Sequence, residues 1–506
     1  MSSANESLRG ALDTVDIKPE RIGEFIESPR GRLAKGSRYN LLIPLRDGRV
    51  LAYNSVTQSL ATWTAEETEF YRSLEDTPTE LWSRQLRDFV YGGYVVPEAS
   101  DELAEQEAKY NGARFDATRM TLTVAPTMAC NFGCDYCFQG ADKPSEKMSP
   151  LVQDVFMKYL EQKLETVRHL HIAWYGGEPL LGIEIIESLS VRILALCKEK
   201  GVHYSGFIVT NGYALNRDMA IRLVRLGVES CQVTLDGPKE SHDERRALLS
   251  GRETYEKIVS NMRSWIEDIK LSVSIRVNID ERNVDSIRRL IDDLDTRGFG
   301  RRKNFTMYFA PVEAITDVCH GCSDVALNKR HYANLETELY RYTFDRGLCP
   351  LPRPPVHLGH CQAIRPNGLL LLPNGDLHKC WDTVHDKGHR VGTIYAHSQV
   401  TENPRYQSWV AWSPFKNNTC RGCKILPNCA GACAHKFINR DVTKGEAGSL
   451  PCPSWKFGIG ERLLLRAEKM GLITSADFPE EKFVTTADLV GHNHSAQSLA
   501  EAAAAA

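Results

Sequence analysis

The sequence predicts an α/β protein built around a mainly parallel sheet, curled or open, with helices on its outside. Strand-like runs and amphipathic helical patterns alternate six times between residues 119 and 310, as the crossovers between parallel strands require. A strand-rich front unit precedes this region, and a segment dominated by Pro, Gly and Cys follows it. These shifts divide the chain into a front unit with its linker, a central α/β unit, a helical bridge, an irregular unit and a tail, at 1–115, 116–315, 316–348, 349–470 and 471–506.

The front unit is predicted to contain strands followed by two helices. Three apolar runs predict strands joined by polar turns, at 39–45, 50–55 and 59–64. Thr64 is a candidate helix N-cap, and a second helical pattern extends from about 78 to 90. The polar stretch 97–118 indicates a linker or an exposed helix. Three strands and two helices suggest a small winged-helix-like domain.

The central unit has six strand candidates, at 121–126, 169–175, 205–210, 230–235, 271–277 and 304–310. Helices lie between them; one is capped by Ser149 with Pro150 at its first position, and another begins at Asn216 and ends at Gly227. In such folds the functional side chains collect at the carboxyl ends of the strands.

The regular alternation ends after residue 310. A helix is predicted from Leu327 to about Arg346, and Pro, Gly and Cys then dominate up to residue 456. Because so irregular a stretch cannot bury a large apolar core, metal ligation is the natural source of its stability. The alanine-rich tail is assigned no function.

Composition and charge narrow the range of partners. The chain has 506 residues, 65 of them acidic and 62 basic, so its net charge of -3 favours neither a nucleic-acid nor an anionic-membrane partner. No run approaches the roughly 20 apolar residues of a membrane-spanning helix, and the polar N-terminus does not resemble a signal peptide. We therefore expect a cytoplasmic protein that binds neither nucleic acid nor membrane.

The 15 cysteines are unusual in a reducing compartment, where clustered thiols are more often metal ligands or catalysts than disulfides. The first three, Cys130, Cys134 and Cys137, form a CxxxCxxC loop directly after the first strand of the central unit. A closed zinc site needs four ligands, whereas a 4Fe–4S cluster held by three thiolates leaves one iron open to a substrate.

Further motifs follow at the carboxyl ends of the next strands. Gly176-Gly177-Glu178-Pro179 closes the second strand, Thr210-Asn211-Gly212 the third, and Thr234-Leu235-Asp236-Gly237-Pro238 the fourth, which His242-Asp243 and Arg245-Arg246 follow. With the thiol loop, this series resembles the radical S-adenosylmethionine (radical SAM) enzymes, here with Thr234 where the family pattern has Ser.

The resemblance implies a partial (βα)6 barrel that binds a 4Fe–4S cluster and S-adenosylmethionine. The cofactor contacts it implies are Gly176, Gly177, Glu178 and Pro179 at the methionine amino group, together with Asn211 and Thr234. One arginine of the Arg245-Arg246 pair would bind the methionine carboxylate, and Arg246 is the favoured one. One electron from the reduced cluster would cleave the cofactor to a 5′-deoxyadenosyl radical, which a barrel shields from water.

A second group of cysteines occupies residues 361–452 in the order Cys361, Gly375, Cys380, Cys420-x2-Cys423-x5-Cys429-x3-Cys433 and Cys452. It resembles the SPASM domain, which carries two auxiliary 4Fe–4S clusters, so the resemblance implies three clusters in all. Cys420, Cys423, Cys429 and Cys452 would hold the distal cluster, and Cys361, Cys380 and Cys433 the proximal one. The turn Asn374-Gly375-Asp376 would bring Cys361 and Cys380 together.

The fourth ligand of the proximal cluster is left open by the sequence. Cys349 is the favoured candidate, the Cys319-x2-Cys322 pair is the other, and an open iron is the remaining possibility. Cys197 and Cys231 lie in helix and strand patterns and read as buried structural thiols.

Two other hypotheses compete with the interpretation of the cysteines as cluster ligands of a radical SAM enzyme. A structural zinc module would explain residues 420–433, though not the open loop of three thiols upstream. A non-catalytic electron-transfer iron–sulfur protein would explain all the clusters, and it would never cleave S-adenosylmethionine.

The function implied by the resemblance is that of a radical SAM maturase. Its front unit, similar to the peptide-recognition element of ribosomal-peptide maturases, would bind the leader of a precursor peptide as an added strand. Hydrogen abstraction would then install a crosslink, either a thioether or a carbon–carbon bond. A sulfatase-maturase-type dehydrogenase is the alternative within the family, and either enzyme needs a one-electron donor such as flavodoxin or ferredoxin.

Overall fold

The computed structural model describes residues 33–81, 86–137, 144–313, 325–355, 361–439 and 452–480. A nine-stranded mixed sheet forms its centre. Its strands are β6 (Arg119–Val124), β7 (His169–Trp174), β8 (His203–Thr210), β9 (Val228–Thr234), β10 (Ser272–Ile279), β11 (Phe305–Pro311), β12 (Gly368–Leu371), β13 (Asp376–His378) and β14 (Gly392–Thr393). They lie in the order β11-β10-β9-β8-β7-β6-β12-β13-β14.

The six strands β6 to β11 are parallel throughout, as the alternating pattern predicts. The helices between and after them are α4 (Pro150–Lys163), α5 (Ile183–Lys200), α6 (Arg217–Arg225), α7 (Lys239–Arg245), α8 (Tyr255–Arg263) and α9 (Ile287–Thr296). Their apolar faces and the outward side chains of the strands form one large buried core. The Ser149 cap, with Pro150 at the first helical position, and the Asn216 cap both form as predicted.

The front unit contains the predicted three-stranded antiparallel meander, made of β2 (Asn40–Pro44), β3 (Val50–Asn54) and β4 (Leu60–Trp63). A short pair joins β1 (Ala34–Gly36) to β5 (Val95–Pro97). The helices are α1 (Ala65–Ser73), α2 (Arg87–Tyr91) and α3 (Glu102–Arg114). Thr64 caps α1 in a full capping box with Glu67.

The front unit differs from the prediction in two of its helices. The second helix, expected over 78–90, is the short α2, and residues 82–85 within that expectation lie outside the described residues. The polar stretch 97–118 contains α3, which is not exposed all round: Glu102, Gln106, Tyr110 and Arg114 recur every fourth residue and are buried. The Arg114 guanidinium donates to the carbonyls of Ile364 at 3.0 Å and Trp412 at 2.7 Å. Because two of these buried residues are charged, the hydropathy of the sequence does not reveal the packed face of α3. A linker and a packed helix therefore have the same hydropathy pattern here.

The meander is buried on both faces, because apolar side chains point to each face and pack against a different core. Ala52 and Trp63 on one face pack against the region of α1 and α2. Leu41, Leu51 and Tyr53 on the other face pack against the C-terminal part of the chain. That part contributes the helix α15 (Ile459–Lys469) and the side chain of Cys423. The front unit therefore sits directly on the cysteine-rich region.

The C-terminal part is only partly irregular. β12 pairs in parallel with β6, and the predicted Asn374-Gly375-Asp376 turn joins it to the antiparallel β13. These strands extend the central sheet. The sequence does not predict them, because the Pro and Gly residues of this region indicate irregular structure. The further helices are α10 (Lys329–Asp345), α11 (Pro404–Ala411), α12 (Asn418–Gly422), α13 (Leu426–Cys429), α14 (Ala434–Ile438) and α15. Within the described residues, none of the helices has the length and apolar character needed to cross a bilayer.

Candidate cofactor site at the strand ends

The loop with the first three cysteines leaves the carboxyl end of β6 and is held by a second loop. The Gly133 N–H donates to the Ala247 carbonyl at 3.0 Å, and the Leu249 N–H donates to the Asn131 carbonyl at 2.9 Å. Phe132 is fully buried beneath the loop. Cys130, Cys134 and Cys137 are partly exposed, so three thiols are fixed at the sheet edge where the sequence predicts function.

The two glycines after β7 allow this loop to approach closely. Gly176 has φ +147, and a Cβ there would lie 2.2 Å from the Thr127 carbonyl oxygen. A Cβ on Gly177 would lie 2.3 Å from the carbonyl oxygens of both Met128 and Ala129. No side chain fits at either position, because the backbone leading to Cys130 occupies the space.

Glu178 is buried and connects the ends of two strands. Its carboxylate accepts hydrogen bonds from Thr210 Oγ1 at 2.7 Å, the Asn211 N–H at 2.7 Å and the Leu180 N–H at 3.0 Å. Burial raises the pKa of Glu178, and these donors together with the nearby Arg246 counteract the rise. Asn211 in turn donates from Nδ2 to Asn131 Oδ1 at 2.8 Å, which ties the strand end to the thiol loop. Pro179, in the short turn that Glu178 caps, is buried as well.

The two neighbouring arginines have different surroundings. Arg245 forms a buried two-pronged ion pair with Asp280, at 2.9 and 3.0 Å. Arg246 donates to the Tyr136 hydroxyl, and its guanidinium lies over the ring of Phe132. Burial lowers the pKa of Arg246, but Cys134, Tyr136 and Asp236 outweigh burial and hold it well above its usual value. The Nε atoms of both arginines are buried without a hydrogen-bond partner among the described residues, and that of Arg246 is a spare donor beside the thiol loop.

A polar network that the sequence motifs did not identify lies under this loop. Tyr136, between the last two thiols, donates to Asp236 and accepts from Asn278 Nδ2 at 3.1 Å. Asp236 also accepts the Asn278 N–H at 2.8 Å, and Thr234 is buried two residues before it. An aromatic residue inside a cysteine loop was the one available signal for this network.

The second cysteine field separates into two groups. Cys420, Cys423, Cys429 and Cys452 form the first, around the buried Lys456. Burial raises the pKa of the Cys420 thiol to about 12, and Cys452 and Cys423 contribute to the rise. Burial likewise raises that of Cys429, with contributions from Cys423, Cys452 and Cys420. The four thiols are therefore mutual neighbours.

Cys361, Cys380 and Cys433 form the other group. Burial raises the pKa of Cys380, and Asp382, Cys433 and Cys361 add to it. Trp381, beside Cys380, meets the ring of Tyr175 edge-on at 4.0 Å between centroids, and Tyr175 immediately precedes Gly176. This group thus adjoins the loop after β7. Neither group, nor any other within the described residues, has three ligand side chains at the spacing of a single metal ion.

The remaining cysteines lie elsewhere or outside the described ranges. The Cys349 thiol is buried, lies 3.9 Å from the Tyr340 carbonyl oxygen and has Asp345 as its charged neighbour. Cys319 and Cys322 lie outside the described residues. Cys197 and Cys231 are buried in the central core, and burial raises the pKa of Cys197 to about 11.

An open set of three thiols at a strand end, beside a guanidinium with a spare donor, suits a cofactor that brings its own carboxylate to an iron–sulfur cluster. The arrangement defines a class of cofactor-dependent α/β enzymes. A sequence model of the Radical SAM superfamily matches residues 124–294. The Serine-type anaerobic sulfatase-maturating enzyme of Klebsiella aerogenes is 30% identical over 325 residues, which are 60% of this chain and 77% of that enzyme.

Two further comparisons agree. Mycofactocin maturase MftC of Mycobacterium ulcerans is 27% identical over 334 residues, covering 63% of this chain and 84% of MftC. The solved structure of native anSMEcpe with bound AdoMet shares the fold, with a TM-score of 0.52 and 19% sequence identity over 69% of this chain and 97% of that one. The chain belongs to the radical SAM superfamily. It is an enzyme of the class that uses a 4Fe–4S cluster and S-adenosylmethionine.

Proposed function

We propose that this chain is a cytoplasmic radical SAM maturase that binds a ribosomally made precursor peptide and installs a crosslink in it. The observation that carries the radical chemistry is the placement of three thiols beside Glu178 and Arg246. In this proposal Cys130, Cys134 and Cys137 hold the first cluster. When bound, the cluster and S-adenosylmethionine supply a 5′-deoxyadenosyl radical that abstracts a hydrogen atom from the peptide, with reducing electrons from a flavodoxin or ferredoxin.

The residues around the thiols bind and orient the cofactor. Arg246 would offer its Nε, which has no partner among the described residues, to the methionine carboxylate, and Glu178 with the backbone at Gly176 and Gly177 would hold the amino group. Asn211 and Thr234 would complete the cofactor contacts, and Pro179 lies in the turn that Glu178 caps.

The two groups of the C-terminal part are assigned to auxiliary clusters. Cys420, Cys423, Cys429 and Cys452 provide four ligands for the distal cluster, and Cys361, Cys380 and Cys433 provide three for the proximal one. Because the Cys349 thiol faces the Tyr340 carbonyl, we assign the fourth proximal position to a group outside the described residues or to the substrate, rather than to Cys349.

A peptide partner is supported by the free edge of the front sheet. The Asn54 N–H donates to the Ser59 carbonyl, so the backbone groups of Ser59, Ala61 and Trp63 point toward β3. The N–H and C=O groups of Leu60 and Thr62, which lie between them, point away from the sheet. In the described ranges no backbone group pairs with these outward groups. A leader peptide can add a strand here.

The opposite edge of the meander is less suitable. On β2 the outward-facing residues are Asn40, Leu42 and Pro44. The residues that flank β2 set this alternation, since Tyr39 pairs with Ser55 just after β3 and Leu45 with Arg49 just before it. The Asn40 N–H already donates to the Ser37 carbonyl, and Pro44 has no N–H. The leader is therefore assigned to β4.

The test uses a short peptide encoded beside this chain's gene, with cluster-loaded enzyme and S-adenosylmethionine. Mass spectrometry should show loss of two hydrogens per crosslink, together with 5′-deoxyadenosine. Thr62→Pro removes one outward N–H while leaving the pairing between β3 and β4, so it should weaken peptide binding; Thr62→Val is the control. Release of 5′-deoxyadenosine with no change in the peptide would refute a peptide substrate, and no release at all would favour an electron-transfer protein.

A second candidate is a sulfatase-maturase-type dehydrogenase, which the 30% identity to the Klebsiella aerogenes enzyme favours. It would oxidise a Cys or Ser side chain in a protein. Oxidation of a short sulfatase-derived peptide by wild-type and Thr62→Pro enzyme at equal rates would indicate this function, because no leader strand is then involved.

A further inference from the structure

Lys456 is a buried lysine in the middle of the distal thiol group. It lies in the short turn Ser454–Gly458, four residues after Cys452, and only 3% of it is exposed. Its ammonium nitrogen lies 3.5 Å from Cys452 Sγ. No carboxylate within the described ranges forms an ion pair with it. A fully buried lysine is uncommon without a partner of opposite charge, so this one needs an explanation.

The four cysteines supply the missing charge. The Lys456 ammonium nitrogen is at hydrogen-bonding distance from Cys452 Sγ, and Cys420, Cys423 and Cys429 are the other members of the same thiol group. The lysine and the thiol group are therefore complementary when the thiols are deprotonated, as thiols bound to metal are.

The position also excludes water from this pair of charges. Cys423 packs in one core with Leu41 and Leu51 of the front sheet and with Ile459 of α15, three residues beyond Lys456. A charge interacts more strongly in such surroundings than at the surface, because the solvent does not screen it.

We propose that the Lys456 ammonium compensates the negative charge of the distal cluster and raises its reduction potential. The inference rests on the proposed assignment of Cys420, Cys423, Cys429 and Cys452 to that cluster. Reduction adds one negative charge to a site that already carries four thiolates, and a fixed positive charge at hydrogen-bonding distance from one sulfur favours the reduced form. Net charge and hydrogen bonds to the sulfurs are known determinants of cluster potentials. Lys456 is thus a positioning residue for a cluster that would accept the one electron released when the peptide radical forms the crosslink and loses a proton.

The test is a redox titration followed by electron paramagnetic resonance. Cys130→Ala, Cys134→Ala and Cys137→Ala remove the first cluster, so that only the two auxiliary signals remain. In this background, Lys456→Met is compared with Lys456→Arg, which keeps the charge, and with Lys469→Met. Lys469 is a lysine at the end of α15, the helix that follows the turn containing Lys456, and its partner is Asp345.

We expect Lys456→Met to lower the ratio of reduced to oxidised distal cluster at least tenfold at a fixed potential, a shift of about 59 mV for one electron. The proximal signal and the Lys456→Arg and Lys469→Met variants should stay near the parent values. Loss of about four irons in Lys456→Met alone also supports the inference, since charge is then needed to retain the cluster.

Unchanged potentials in Lys456→Met, or equal loss of iron in Lys456→Met and Lys456→Arg, would overturn the inference, because packing and not charge would then be the role. A different result would refute the proposed function. Zinc instead of iron in the unmutated chain would contradict the assignment of the cysteines to clusters, and with it the role proposed for Lys456.

Discussion

Glu178 accepts a hydrogen bond from the Thr210 hydroxyl at 2.7 Å and so joins the ends of two neighbouring parallel strands. The other carboxylate oxygen accepts the Asn211 N–H at the same distance. Two motifs that are 32 residues apart in the sequence are therefore one structural unit. A residue expected only to contact the cofactor also holds the site together.

Glu178→Gln should damage both folding and cofactor binding. An amide has one oxygen where the carboxylate has two, so at least one of the three buried donors loses its acceptor, at a cost of about 1–3 kcal/mol. We expect a lower unfolding temperature and weaker binding of S-adenosylmethionine, measured by calorimetry and equilibrium dialysis under anaerobic conditions. Thr210→Val removes one donor to Glu178 and the acceptor of the Gly212 N–H, but it leaves the other two donors of Glu178 in place and should weaken cofactor binding less. Equal effects on cofactor binding would contradict the central role of Glu178.

Gly177→Ala should disturb the thiol loop. The added Cβ would meet two carbonyl oxygens at 2.3 Å, and the backbone before Cys130 must move to accommodate it. We expect iron to fall by about four per chain, the content of one cluster. Gly112→Ala is the control, since a Cβ there meets nothing within 4 Å and should stabilise α3 by up to about 1 kcal/mol. Full iron content in Gly177→Ala would show that the loop is compliant.

Arg245→Met should destabilise the fold without acting through the cofactor. It leaves the buried Asp280 with Arg282, at 2.7 Å, as its remaining charged partner, so the loss should stay below the roughly 3–5 kcal/mol that an uncompensated buried charge costs. The double variant Arg245→Met/Asp280→Leu should recover part of this loss in urea unfolding. Arg246→Lys, by contrast, should mainly weaken cofactor binding. Exchange of these two phenotypes would assign the cofactor carboxylate to Arg245.

Cys349→Ser should leave the iron content unchanged, because the Cys349 thiol lies against the Tyr340 carbonyl. Cys433→Ser is the matched variant and should lower iron by up to about four per chain, since it removes one of three proximal ligands. Equal losses of iron in both variants would make Cys349 the fourth ligand.

Stability should fall in mild acid through His242. This fully buried ring accepts the Asp236 N–H at Nδ1 and faces the Thr254 hydroxyl at Nε2. Burial, with Arg246 and Arg245, holds the pKa of His242 well below its usual value of about 6.5. The unfolded chain then binds a proton that the folded chain does not, so the free energy of unfolding decreases as pH drops below about 6.5, by up to about 1.4 kcal/mol per pH unit. Urea unfolding at several pH values measures the slope. His242→Gln should reduce it, and an unchanged slope would place its origin elsewhere.

The central fold could be predicted because strands and helices alternate in the sequence and their hydrophobic residues repeat with different periods. Helical connections between successive strands indicate a parallel sheet. Motifs that resemble those of the radical SAM family pointed to Glu178, Asn211 and Thr234, and the rule that functional residues collect at strand ends agrees with their positions. The pairing of β12 with β6 could not be predicted, since nothing local in residues 368–371 specifies a partner more than 200 residues away. The separate environments of Arg245 and Arg246 likewise depend on Asp280 and Tyr136, which other strands and loops contribute.

The pairing of β12 with β6 affects how the enzyme is assembled during synthesis. β6 ends six residues before Cys130, yet its second neighbour is made only when the ribosome has passed Leu371. The loop for the first cluster therefore reaches its final support late, after the whole central unit has been translated. A chain cut after residue 315 should keep the parallel core but expose β6 as a new sheet edge, prone to pairing with other chains. The C-terminal part thus supplies the last strands of the central sheet. We expect the first cluster to be inserted after β12 has paired with β6.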